Sequence, residues 1–83
     1  MGDRKMKSTI NVTVKLFATL REGRFDIRSM ELADGATVAD VVSLLGIAEE
    51  EVALIMADHR HREMDYALAD RMTLALFPPV GGG

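Results

Sequence analysis

The sequence predicts an α+β fold, a mixed sheet of four to five strands with one main helix across one face. Three observations carry this reading. Two segments, Thr9 to Phe17 and Met72 to Phe77, alternate apolar and polar residues with the period of two that a half-buried strand requires. Between them Val38, Val41, Val42 and Leu45 recur at the i, i+3, i+4 and i+7 positions of an amphipathic helix. The chain has 83 residues, and a chain of that size buries roughly 63% of its unfolded surface, enough for one modest core that helix and strands must share.

The elements follow in order. Residues 1–8 are expected to be a flexible N-terminal tail. In the first strand Ile10, Val12, Val14 and Leu16 share one face, and Thr9, Asn11, Thr13, Lys15 and Phe17 share the other. Ala18 to Arg24 reads as a polar turn. Phe25 to Leu32 is a second strand whose alternation slips at Ser29–Met30, which fits a bulge. The two strands make a hairpin. Asp34-Gly35 ends it, and Thr37 with Asp40 three residues on forms a shortened capping box for the helix. Gly46 supplies the left-handed position after it. Valine-rich helices have little intrinsic propensity, so packing on the sheet must hold this one.

Ala48–Glu51 suits a short helical turn. Val52 to Ala57 is either a third strand or the rest of a second helix, and its length favours the strand. Asp58–Arg62 is a polar turn, Glu63–Ala67 a short edge strand or loop, and Asp70-Arg71 turns the chain into the last strand. A hairpin, a crossover helix and a closing strand in this order give the β-grasp, or ubiquitin-like, arrangement. That fold class, rather than the periodicity, sets the first and last strands side by side in the centre. The organisation expected is a tail over 1–8, one β-grasp domain over 9–77 and an extended C-terminal tail over 78–83.

Composition narrows the chemistry. The chain contains no cysteine, which removes disulfides, thiolate zinc sites and cysteine nucleophiles together. Residues 1–28 carry a net charge of +4 and residues 29–83 a net of −7. This is either a bipolar surface that steers a partner or a basic tail plus a solvated acidic run at Glu49–Glu51. An isoelectric point near 5.2 and few aromatic residues speak against nucleic-acid binding. No apolar run approaches a membrane span, and the start has no signal-peptide stretch, so a cytoplasmic protein is expected. Asp58, His59 and His61 are a thin ligand set in what reads as an exposed polar turn, so no metal is expected.

The informative segment is Phe77-Pro78-Pro79-Val80-Gly81-Gly82-Gly83. Two prolines cannot continue a sheet, because neither donates a backbone hydrogen bond. They lead the chain away as a stiff, extended stalk. Three glycines follow with no side chain to pack. Such a tail is either an idle end or a probe for a narrow channel, in which backbone without Cβ atoms approaches another protein closely. If the chain ends there, the Gly83 carboxylate is the reactive group, ionised at neutral pH because such groups have a pKa of about 3.5. It can attack the α-phosphorus of ATP and become an acyl adenylate.

This tail resembles that of the MoaD-type sulfur carriers, the small subunits of molybdopterin synthase. Val14-Lys15-Leu16-Phe17-Ala18-Thr19-Leu20-Arg21-Glu22 resembles the same family's first strand and following loop. Asp34-Gly35-Ala36-Thr37-Val38-Ala39-Asp40 resembles the helix start that this family shares with the thiamine sulfur carrier. The resemblance implies a mechanism. A ubiquitin-activating-type (MoeB-type) enzyme adenylates the Gly83 carboxylate with ATP, and a sulfur donor converts it to a thiocarboxylate. The large, MoaE-type subunit then takes up the tail Pro78, Pro79, Val80, Gly81 and Gly82 and uses the sulfur to build the dithiolene of molybdopterin. The carrier is a co-substrate with no permanently bound cofactor, and the large subunit supplies the catalytic side chains. Alternatives are a carrier for thiamine or another thiolated metabolite, a ubiquitin-like modifier joined to lysines, and a plain interaction domain.

Phe17 and Phe77 occupy the outward phase of their strands. On neighbouring strands they would share one exposed face, either as a docking patch or covered by residues 1–7 or a loop. The resemblance implies that both rings, with Arg21 near them, lie in the partner interface. Three positions depart from the family pattern. His61 stands where an apolar residue is common, Arg71 where a glycine often follows the aspartate, and Gly81 where another small residue often opens the last triplet.

Overall fold

The computed structural model describes residues 8–79. β1 (Thr9–Leu16) and β2 (Ile27–Ala33) form the antiparallel hairpin, α1 (Val38–Leu44) crosses the sheet, and β3 (Leu54–Ala57), β4 (Arg60–His61) and β5 (Thr73–Phe77) complete it. The strand order is β2-β1-β5-β3-β4. β1 and β5 run parallel, with Leu16 beside Leu76, and the other pairs are antiparallel. This is the β-grasp, ubiquitin-like fold: one helix on a mixed five-stranded sheet. Among the described residues no helix is long and apolar enough to cross a membrane.

One face of the sheet is the core. Val12, Val14, Leu74 and Leu76 are fully buried, and Val38, Val41 and Val42 of α1 close over them. Three buried valines in a seven-residue helix are what hold it, since their β-branched side chains pack well but favour helix weakly. Both ends of α1 are fastened. Asp40 N–H donates to Thr37 Oγ1 at 3.3 Å, and Thr37 N–H donates back to Asp40 Oδ2 at 2.9 Å. At the other end Arg24 donates to the carbonyls of Leu20 (3.2 Å), Leu45 (3.1 Å) and Gly46 (3.3 Å). The guanidinium thus ties the C-cap Leu45 and the following Gly46 to the Ala18–Arg21 turn, and its charge complements the helix dipole.

The structure corrects two local expectations and adds detail to a third. β1 and β2 pair without a bulge, in continuous register from Thr9 with Ala33 to Lys15 with Ile27. The apolar pattern slips because β2 is an edge strand: inward-phase Arg28 covers the Phe25 ring at 4.5 Å, while Ile27 points outward. The polar turn after β3 is shorter than 58–62. Asp58 and His59 take the two left-handed positions (φ +50° and +71°) that a tight primed hairpin turn requires. The edge strand is therefore Arg60–His61, and 62–67 is a loop fastened to the start of α1, whose Val38 N–H donates to Tyr66 O at 3.1 Å. The Ala18–Arg24 turn also contains a 3-10 helix, Ala18–Arg21, that buries Leu20.

Candidate functional site

The central strand β5 delivers the tail. Ala53 N–H donates to Phe77 O at 2.8 Å, and Phe17 N–H donates to Leu76 O at 3.2 Å. Pro78 has no N–H to offer, so the ladder ends there. Pro78 and Pro79 border a groove with Thr19, Leu20, Glu22, Arg24, Glu50 and Glu51. The remaining tail residues expected to act, Val80, Gly81, Gly82 and Gly83, lie outside the described residues.

Beside that exit the Phe17 and Phe77 rings stack at the surface, centroids 4.3 Å apart and planes 13° from parallel. The outward phase brings them together as expected, because Leu16 beside Leu76 in the parallel pair sets the next residues side by side. Phe17 remains 36% exposed. Within the described residues no loop covers it fully. Arg21 joins the same end of the face. It shares a groove with Lys15, Phe17, Asp26 and Ile27, and its Nη1 lies 3.8 Å from Asp26 Oδ2. Both partners are largely exposed, so this pair orients Arg21 more than it stabilises the fold.

The apolar surface extends past the residues the sequence singles out. Leu54 lies opposite Phe77, Met56 opposite Ala75, and Ile27 opposite Lys15. Leu54 is 38% and Ile27 61% exposed. The strip thus crosses the sheet from β3 to β2 at the end where the tail leaves. Leu54 and Met56 occupy the same outward phase in β3 that Phe77 occupies in β5, which was the available signal. It becomes readable only with the strand order. His59 lines the groove beside the aromatic pair, and His61 pairs with Met56. Among the described residues no group of three or more His, Cys, Asp or Glu is arranged to hold a metal. Two stacked rings, two prolines and a guanidinium thus lie together at this end of the sheet.

The model of the ThiS family matches residues 14–83. The chain belongs to the ThiS family. Structural comparison agrees. The HVO 2177 protein of Haloferax volcanii is similar at 29% identity and a TM-score of 0.73, over 90% of this chain and 88% of that one. A Pyrococcus furiosus protein provisionally designated molybdopterin converting factor, subunit 1, is similar at 29% identity and 0.68, over 86% and 99%. SAMP1, small archaeal modifier protein 1 of Haloferax volcanii, is similar at 27% and 0.68, over 88% and 99%. No curated protein matches by sequence. This ThiS-family chain is thus of the class of sulfur carriers and ubiquitin-like modifiers.

Proposed function

We propose that this chain is a cytoplasmic sulfur carrier for molybdopterin synthesis. The observation that carries the reading is the union of Pro78-Pro79, leaving the central strand, with the exposed Phe17–Phe77 stack at its root. A partner can grip the face and receive the tail in one docking event. The similarity to the Pyrococcus furiosus protein supports the same reading.

Where Gly83 ends the chain, the chemistry runs on its carboxylate. Its oxygen attacks the α-phosphorus of ATP on a ubiquitin-activating-type enzyme, and pyrophosphate leaves. A sulfur donor attacks the acyl carbon, AMP leaves, and the product is a thiocarboxylate. A carboxylate oxygen is a poor leaving group, so adenylation must come first. In the large subunit the thiocarboxylate sulfur displaces an oxygen substituent from a carbon of the precursor, and hydrolysis of the resulting thioester returns the carboxylate and leaves the sulfur on the product. A dithiolene holds two sulfurs, so two charged carriers are consumed for each one built. The carrier supplies the sulfur and the docking face, and the large subunit supplies the acid–base groups.

The test is intact mass after incubation with ATP, an activating enzyme and a sulfur source. One oxygen-for-sulfur exchange is expected, followed by molybdopterin formation when the large subunit and precursor are added. Lysine adducts instead would identify a protein modifier, the reading favoured by the similarity to SAMP1. Exchange without molybdopterin formation would point to a thiamine-type or other carrier. Deleting Gly83 is expected to abolish the exchange while the melting temperature stays unchanged, because the last core strand ends at Phe77 and a glycine has no side chain to pack.

A further inference from the structure

Lys15 interrupts the apolar strip at its middle. In register it sits on β1 between Ile27 of β2 and Ala75 of β5. Its half-buried side chain borders the groove formed by Phe17, Met56, His59, Thr73, Ala75 and Phe77, which contains no carboxylate. The acid in the adjoining groove, Asp26, faces Arg21 at 3.8 Å. Glu31, toward the other end of this face, accepts from Thr9 Oγ1 at 3.0 Å. Among the described residues Lys15 has no carboxylate within ion-pair distance.

A protein that covers both Phe17 and Ile27 must cover Lys15 as well. Burying a lone ammonium against an apolar surface strips its hydration with nothing to replace it. We propose that the outer face fits a protein surface whose apolar patch carries a carboxylate, and that this carboxylate meets Lys15 beside the aromatic stack. Lys15 is then a specificity-determining residue. It admits an acidic partner surface and penalises a purely apolar one, a second copy of this face included, since self-pairing there would bring lysine toward lysine. This rests on the docking reading given above, with the large subunit as the partner.

The sign of one substitution tests it. Calorimetric titration of the carrier into the large subunit of the same genome measures the affinity of the wild type, Lys15→Met and Lys15→Arg. Lys15→Met keeps the length of the stem and removes the charge. If a partner carboxylate waits there, that group is left buried and unpaired, and affinity is expected to fall about tenfold or more. The loss should shrink in high salt, and Lys15→Arg should retain most of the affinity. Binding of Lys15→Met that is unchanged or tighter overturns the inference, as does a Lys15→Arg variant that loses as much. A melting curve shows that each variant is folded. If the wild type itself fails to bind the large subunit, the carrier reading falls and the inference with it. Wild-type binding with an insensitive Lys15 overturns the inference alone.

Discussion

The two faces of β1 and β5 are built from alternate residues of the same strands, yet one is packed and the other open. Val12, Val14, Leu74 and Leu76 point inward and are fully buried. Lys15, Phe17, Ala75 and Phe77 point outward and line an open groove. Moving one residue along the chain crosses from core to surface, because successive side chains of a strand face opposite ways. Stability and the proposed docking are thereby separable by residue, and each can be broken alone.

The largest effect is expected on the inner face. Leu76 is fully buried between the helix and the sheet, and truncation to alanine removes apolar contacts and leaves a cavity. Leu76→Ala is expected to lower stability by about 3 kcal/mol, and the melting temperature by more than about 10 °C in a domain of this size. Thermal denaturation followed by circular dichroism checks it. Below the new melting temperature, docking affinity should change by less than about a factor of three, because Leu76 reaches no partner. A large loss of affinity in the folded variant would merge the two faces.

On the outer face the weights reverse. Phe77→Ala removes one ring of the exposed stack, with an expected loss of about 2 kcal/mol of binding to the large subunit. Phe77 is half-buried and the stack is worth about 1 kcal/mol beyond its buried area, so the melting temperature should fall by about 5 °C or more, less than for Leu76→Ala, while affinity falls roughly thirtyfold. Titration and a melting curve on the same variant give both numbers. Unchanged affinity would remove Phe77 from the interface.

How much of this was legible in the sequence depended on how local the cause was. The capping box needs only Thr37 and Asp40 three residues apart, and it stands as read. The inner stripe of α1 and the phases of β1 and β5 are equally local. The Phe17–Phe77 pair needed one long-range fact, the parallel pairing of first and last strands, which the β-grasp class supplied. Arg24 looked like a turn residue because the carbonyls of Leu45 and Gly46 that it bridges are 21 and 22 residues away. Ile27 and Leu54 were not legible as part of the outer strip, since an exposed apolar residue acquires meaning only from its cross-strand neighbours. The slip in β2 looked like a bulge because an edge strand tolerates an inward arginine lying over an aromatic ring.

The smallest effect concerns the turn that keeps the two faces in phase. Asp70 Oδ1 accepts Asn11 N–H at 2.8 Å, Arg71 N–H donates to Asn11 O at 2.7 Å, and Thr13 N–H donates to Met72 O at 2.9 Å. These bonds fix where β5 starts against β1, and so which of its residues face inward. Arg71 makes the turn at φ +68°, a left-handed conformation that costs a side-chain-bearing residue about 1 kcal/mol or more. Its contact with Asp70, at 3.8 Å on a side chain that is 90% exposed, offsets little of that. Glycine at this position relieves the strain but loses more chain entropy on folding, by about 0.5 kcal/mol. Arg71→Gly is therefore expected to stabilise the domain by about 0.5 kcal/mol and raise the melting temperature by about 3 °C. The bonds made by the backbone of the turn are unchanged, so β5 keeps its phase and docking affinity stays the same. A variant that melts lower would mean that the Arg71 side chain contributes more to the turn than its one long contact suggests.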